Sequence, residues 1–134
     1  STMFFTFRRR VRRVRRRKVS LSSQKKYLEY RESARALAHE RILSLNTHYK
    51  VAVNRIFIRN SRSRWGSCST KGNLNFNYRL VFLPPALVDY VIVHELCHLR
   101  EFNHSPRFWA HVSEIVPNHK ALRRELRRTK IILS

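Results

Sequence analysis

Residues 84–102, PPALVDYVIVHELCHLREF, constrain the fold more than any other part of the chain. Two prolines open this segment, where proline costs a helix little, and the residues after them are apolar enough for a helix that is buried on most of its surface. His94 and His98 are four residues apart, so on a helix they lie one turn apart on the same face. The segment therefore predicts a buried helix with two histidines that can reach one metal ion.

Glu95 lies between these histidines in the sequence and about 100° around the helix from His94. A carboxylate at this place is close to the ion but free to hold a water molecule. Zinc acidifies its bound water toward neutral pH, and a carboxylate can take the released proton and pass it to a leaving amine. We therefore predict that Glu95 is the catalytic group of a zinc-dependent hydrolase.

A catalytic zinc commonly takes three protein ligands, and His104 is the best candidate for the third. On an unbroken helix His104 would lie roughly 15 Å from His94, which is too far to share an ion. Asn103 tolerates a left-handed turn, and Ser105 followed by Pro106 is typical of the start of a new helix. We expect the chain to fold back at Asn103, so that His94, His98 and His104 bind one Zn²⁺ per chain.

Helices are predicted on both sides of a short strand-rich region. Apolar residues recur at three- and four-residue spacing from residue 23 to about residue 46, with Ser22 or Ser23 as the N-cap. Two more helices are predicted after the histidine segment, roughly over residues 106–115 and from about residue 118. With strands between the first helix and the others, this order predicts an α+β domain.

The strand-rich region predicts a small antiparallel sheet. VNRIFIRN and LNFNYRL alternate between apolar and polar residues, and SRSRWGSCS continues between them in extended form. A turn at Gly72, which can take a positive φ, joins the last two segments. The polar face of the sheet is expected to carry Asn75, Asn77 and Arg79 together.

Positive charge is concentrated in residues 1–19, which we predict to be a basic arm ahead of a single domain over residues 20–134. The chain has 29 Lys and Arg against 8 Asp and Glu, a formal net charge of +21. A charge run is often solvated and disordered, but it can also bind nucleic-acid phosphates by counterion release. Both interpretations stay open for the basic residues of the arm, which are Arg8, Arg9, Arg10, Arg12, Arg13, Arg15, Arg16, Arg17 and Lys18.

The motifs SRSRWGSCSTKGNLNFNYRL and DYVIVHELCHLREFNHSPRFW resemble the YgjP-like metallopeptidase family, a zincin group related to the SprT and WLM domains. The resemblance covers about residues 59–109. It implies a minimal zincin-like domain, zinc bound by the three histidines, Glu95 as general base or acid, and a peptide or protein substrate. It also implies that residues 63–68 form a strand beside the cleft, where zincins commonly hold an extended peptide.

Several further residues are candidate contacts to the substrate or the transition state. Glycine lets another backbone approach closely, and zincins often add a side-chain donor to the metal. These candidates are Gly66, Ser67, Tyr78, Arg79, Tyr90 and His111. In contrast, the residue types of Trp65, Phe108, Trp109, Cys68 and Cys97 favour packing, with both cysteines reduced.

The main functional prediction is a zinc metallopeptidase that its basic surface could recruit to nucleic acid. Two alternatives stay open: a nucleic-acid-binding module with a structural zinc, and a zinc hydrolase of a small phosphorylated, nucleotide-like substrate. We expect a cytoplasmic monomer without membrane contact. The two cysteines do not form a disulfide framework, and no apolar run approaches a signal-peptide core or a membrane span.

Overall fold

The structure is a computed structural model that describes residues 20–129. The predicted α+β class is confirmed, whereas the arm predicted over residues 1–19 lies outside the described residues. In chain order the elements are α1 (Leu21–Tyr49), β1 (Ile56–Arg59), β2 (Gly66–Cys68), β3 (Leu74–Asn77), a 3₁₀ helix (Tyr78–Phe82), α2 (Pro85–His98), α3 (Pro106–Ile115) and α4 (His119–Arg128).

Helix α1 begins earlier and ends later than its apolar pattern predicts. The N-cap is Ser20, whose Oγ accepts a hydrogen bond from the Ser23 N–H at 3.0 Å, so the cap predicted at Ser22 or Ser23 is wrong. The helix ends where Lys50 takes a left-handed conformation with φ 53°. Its buried face keeps the predicted helical spacing and consists of Ser23, Ala34, Ala38, Ile42, Leu45 and Tyr49.

The three strands form a mixed sheet in the order β1-β3-β2. β2 and β3 are antiparallel and are joined through Gly72 at φ 84°, as predicted. β1 is parallel to β3, with Ile58 opposite Phe76, so the expected antiparallel sheet is wrong for this pair. The chain reverses between β1 and β2 and again between β2 and β3, which returns β3 to the direction of β1.

Arg79 is buried and does not share a polar sheet face with Asn75, because β3 ends at Asn77 and a 3₁₀ helix follows. Its side chain is 4% exposed, and its Nη1 donates to the Asn60 side chain at 3.2 Å and to the Ser61 carbonyl at 3.0 Å. The prediction that Arg79 lies on the polar face of the sheet is therefore wrong. The guanidinium instead holds the loop between β1 and β2.

Helix α2 lies at the centre of the molecule and packs against α1, β2, α3 and α4. Every residue from Tyr90 to His98 is buried, which confirms the predicted buried helix. None of the helices within residues 20–129 combines the length and the apolar character that a membrane crossing needs. The packing places one face of α2 under β2 and another under α3 and α4.

Candidate metal centre

The loop after α2 brings His104 back to the two helical histidines. The left-handed conformation predicted for Asn103 is wrong, since Lys50 is the non-glycine residue with positive φ within residues 20–129. Instead, the Asn103 Oδ1 accepts a hydrogen bond from the Ser105 N–H at 3.3 Å, and the Ser105 Oγ caps α3. Side-chain hydrogen bonds to the backbone therefore turn the chain here.

One ligand nitrogen each from His94, His98 and His104 lies within 4.8 Å of the others. The Nε2 atoms of His98 and His104 are 3.0 Å apart. In a tetrahedral zinc site with Zn–N bonds of about 2.0 Å, neighbouring ligand nitrogens are roughly 3.3 Å apart. The spacing of this pair is therefore close to that of two ligands of one zinc ion, and neutral imidazole is a ligand that zinc prefers.

The Nδ1 atoms of the two helical histidines have hydrogen-bond partners, which fix the orientation of the rings. The His98 Nδ1 donates to the Glu101 carbonyl at 3.1 Å, which leaves a lone pair on Nε2. The His94 Nδ1 lies 3.2 Å from the Glu95 Oε2. Burial lowers the pKa of His94 well below its usual value and that of His98 to about 4. Both rings are thus neutral near pH 7, as metal binding requires, and the His94–Glu95 contact is a hydrogen bond instead of an ion pair.

Glu95 is buried under β2, beside the histidines. Its exposed fraction is 0%, and burial raises the pKa of its carboxyl group to about 7. Within residues 20–129 its Oε1 accepts no hydrogen bond. A buried carboxylate oxygen without a protein donor, with a pKa near neutrality, is suited to hold and deprotonate a water molecule.

β2 provides the wall next to this carboxylate. A Cβ added at Gly66 would lie 3.2 Å from both the Cγ and the Oε2 of Glu95, so the glycine leaves room for the glutamate. The Cys68 thiol also interacts with Glu95, and burial raises the pKa of this thiol to about 12, so it stays protonated beside the carboxyl group. Sequence analysis missed this contact, although the two-residue period of a strand places Cys68 on the same face as Gly66.

The other packing predictions are confirmed for Trp65, Cys97 and Phe108, which are 5%, 0% and 0% exposed. Phe108 also stacks on the His98 ring, with 4.4 Å between the ring centroids and 24° between the planes. Cys68 and Cys97 are free. The first turn of α3 therefore supports a candidate ligand as well as the core.

Tyr90 and Tyr78 are both buried. Of the two, only Tyr90 has a ring contact with one of the three candidate ligands, within residues 20–129. The Tyr90 ring packs edge-on against His94 with the centroids 6.0 Å apart. Tyr78 instead packs against Tyr27, with 5.7 Å between the centroids, and against Arg79. Of these two candidate contacts to the substrate or the transition state, Tyr90 therefore lies closer to the candidate metal centre.

His111 and Arg79 take part in other contacts. The His111 Nδ1 lies 3.3 Å from the Arg100 Nη1 and 3.8 Å from the Glu114 Oε2. The Arg79 guanidinium binds the loop before β2, as described above. Their predicted contacts to the substrate or the transition state stay predictions.

Gly66 and Ser67 border a cavity of about 380 Å³ beside the outer strand β2. Gly66 lines this cavity, and a Cβ added at Gly66 would contact Glu95. Gly66 therefore lies between the cavity and Glu95. The cavity is lined by Arg59, Ser61, Ser63, Arg64, Gly66, Ser67, Asn75, Phe76 and Asn77. Most of the side chains in this lining carry a guanidinium, hydroxyl or amide group.

Two histidines and a buried glutamate on the central helix of a small α+β domain, with a third histidine in the loop that follows, define the class of zincin-like metallohydrolases. The YgjP-like metallopeptidase domain matches residues 3–129, and the chain belongs to this family. The family implies a divalent metal, typically zinc.

Two metallopeptidase zymogens have similar structures. Abylysin of Pyrococcus abyssi is 18% identical with a TM-score of 0.63, and the match covers 71% of this chain and 99% of abylysin. Jannalysin of Methanocaldococcus jannaschii is 21% identical with a TM-score of 0.55, and the match covers 71% and 94%. A search of curated proteins gave no match. At these identities the two structures show the minimal zincin-like fold.

Proposed function

We propose that His94, His98 and His104 bind one Zn²⁺ and that Glu95 activates water for the hydrolysis of peptide bonds. The observation that carries this proposal is the convergence of three imidazole nitrogens within 4.8 Å, directly beside a buried carboxylate. When bound, zinc would polarise the scissile carbonyl and acidify a water molecule. Side chains of the protein would carry out the proton transfers.

Glu95 is the proton carrier in this proposal. Its pKa of about 7 lets it accept a proton from water and then donate that proton to the leaving amine at neutral pH. The Cys68 thiol and the His94 Nδ1 hold the carboxylate in place. His94 and His98 stay neutral because they are buried, so protons do not compete for their lone pairs near pH 7.

The substrate is proposed to bind along β2. This strand is at one end of the sheet order and packs against α2, so an extended peptide added to its outer edge would run past Glu95. Gly66 would let the peptide backbone approach closely, and Ser67 is the next residue along that edge. The peptide would then cross the mouth of the candidate metal centre.

Glu95→Gln tests the proposed role of the carboxylate. Zinc-loaded Glu95→Gln should bind zinc as the wild type does but cleave casein about 100- to 10,000-fold more slowly, the usual contribution of a general base. Glu40→Gln, at an exposed position on α1, is the matched control and should keep full activity. Equal turnover by Glu95→Gln and the wild type would rule out this role.

A second candidate, the hydrolysis of a small phosphorylated substrate, is favoured by the cavity beside β2. Neither Arg59 nor Arg64, which line it, forms an ion pair with a carboxylate within residues 20–129. Two such guanidinium groups suit an anionic substrate. In this case Arg59→Gln with Arg64→Gln should slow phosphate release from a nucleoside triphosphate and leave casein cleavage unchanged, whereas no phosphate release by the wild type would exclude this candidate.

Recruitment to nucleic acid is a further part of the proposal and rests on charge. The arm carries nine Lys and Arg between residues 8 and 18, and Lys120, Arg124, Arg127 and Arg128 are exposed on α4. These charges would bind phosphates and bring the enzyme to DNA- or RNA-bound proteins. The alternative module with a structural zinc would bind nucleic acid without hydrolysing peptides. A cytoplasmic monomer also stays a proposal, supported by the two free thiols.

A further inference from the structure

His104 differs from the other two candidate ligands because it lies in a loop and its side chain is exposed. His94 and His98 are held by the packing of α2, which buries both completely. A ligand on an exposed loop loses conformational entropy when it binds a metal, unless its ring is oriented beforehand. The contacts around the His104 ring therefore bear on the affinity of the site.

Trp109, in the first turn of α3, provides a flat surface for the His104 ring. The two rings are nearly parallel, with 24° between the planes and 5.9 Å between the centroids. The same indole packs edge-on against His94 with the centroids 6.0 Å apart. Trp109 thus contacts one helical histidine and the loop histidine at once.

Helix α4 also contacts Trp109. His119 stacks on the indole with 20° between the planes and 4.9 Å between the centroids. The Arg123 guanidinium carbon lies 5.6 Å from the centre of the same ring. Both His104 and His119 are therefore stacked on Trp109, in a cluster that we call the ring stack, and this stack connects the candidate metal centre to the last helix.

We propose that Trp109 is a positioning residue for the third metal ligand and that His119 holds the indole in place. The proposal rests on the zinc-binding function proposed above. Stacking fixes the tilt of the His104 ring, so that its Nε2 points to the His98 Nε2 at 3.0 Å before any metal arrives. Loss of the flat surface should leave the ligand present but disordered, and the zinc affinity should fall.

Zinc affinity of the full chain tests this proposal, measured by competition with a chromophoric chelator. Trp109→Leu should bind zinc about 10-fold more weakly, the lower end of the usual effect of an outer-shell partner. Trp109→Phe, which keeps a flat ring, should stay close to the wild type. The visible absorption of the Co²⁺-loaded protein should change in Trp109→Leu and not in Trp109→Phe.

The other tryptophan of the chain offers a matched control, because the sequence contains two. Trp65 is 5% exposed in the core near β2, so Trp65→Leu should lower the melting temperature without changing the zinc affinity. Trp109→Leu with reduced stability but unchanged zinc affinity and Co²⁺ spectrum would overturn the proposal. If Trp109→Leu does not fold, His119→Leu replaces it: weakened zinc binding supports the proposal, and unchanged binding overturns it.

His104→Ala separates this proposal from the proposed function. If the wild type binds no zinc, or if His104→Ala binds it as tightly as the wild type, the proposed ligand set is wrong and the positioning role falls with it. If His104→Ala binds weakly while Trp109→Leu binds normally, only the positioning role is wrong.

Discussion

The Nε2 atoms of His98 and His104 lie 3.0 Å apart, although His98 ends helix α2 and His104 lies in the loop that follows. In the metal-free protein, one of two neutral imidazole nitrogens at this distance donates a hydrogen bond to the other. A metal ion between them needs lone pairs from both. His104 must therefore carry its proton on Nδ1 when the metal is bound.

Replacement of His104 by alanine tests the third ligand. His104→Ala should weaken zinc binding by more than about 100-fold, because the loss of a direct ligand costs more than the loss of an outer-shell partner. The measurement is a zinc titration against a chelator with the full chain. His39→Ala, at an exposed position on α1, is the control, and equal affinity of the two variants would show that His104 is not a ligand.

The burial of Glu95 predicts a pH-dependent stability in the zinc-free protein. Its pKa rises from 4.5 to about 7 on folding, so the folded state favours the protonated carboxyl group. The stability that this group contributes is present below pH 4.5 and is lost as the pH rises to about 7. Relative to Glu95→Gln, the free energy of unfolding of the wild type should fall by on the order of 3 kcal/mol between pH 4.5 and about pH 7.

Urea unfolding of both zinc-free proteins at several pH values measures this difference. The two proteins differ in this one side chain, so the difference between their profiles reports on Glu95 and its contacts. If the unfolding free energies of the wild type and Glu95→Gln change with pH in the same way, burial does not raise the pKa of Glu95 as predicted.

Gly66→Ala should impair hydrolysis more than folding. The added methyl group would lie 3.2 Å from the Glu95 Cγ and Oε2 and 3.3 Å from the Asn75 carbonyl, so the glutamate must shift by a few tenths of an ångström. We expect kcat/KM to fall by roughly 10- to 100-fold and the unfolding free energy by about 1–3 kcal/mol. Peptide hydrolysis and urea unfolding measure the two effects.

Gly72→Ala is the matched control, since the chain has two glycines. Gly72 has φ 84°, so alanine there strains the backbone and lowers stability while Glu95 keeps its place. If both variants lose activity only in proportion to their loss of folded protein, Gly66 has no specific role beside Glu95.

Deletion of residues 1–19 tests the contribution of the arm to nucleic-acid binding. The shortened protein should bind duplex DNA more weakly and with a smaller salt dependence, because fewer counterions are released. Fluorescence anisotropy at several salt concentrations measures both quantities, and casein cleavage by the same protein serves as the control. An unchanged affinity and salt slope would exclude the arm as the binding element.

Local sequence patterns were sufficient to predict the central helix and the two helical histidines. The four-residue spacing of His94 and His98 determines their common face wherever the helix packs. The start of α3 was equally predictable, because the Ser105 side chain and Pro106 act within one turn. These features depend on neighbours in the sequence alone.

Features that depend on tertiary contacts were not predictable. The alternation in β1 and β3 marks both as strands but carries no information on which strand lies between which, and so the parallel pair was missed. Arg79 was predicted on the polar face of the sheet, but its partners Asn60 and Ser61 come from the loop between β1 and β2. The stack of His119 on Trp109 joins α4 to α3, and residue spacing does not show how these two helices pack.

The most direct test of the metal centre is a crystal structure of the zinc-loaded protein, with anomalous data collected at the zinc absorption edge. The account predicts one zinc per chain, bound by His94, His98 and His104 with Zn–N distances of about 2.0 Å. A zinc that is bound by another group while the His104 ring points away would contradict this ligand set, and no anomalous peak between the three rings would contradict the metal centre itself.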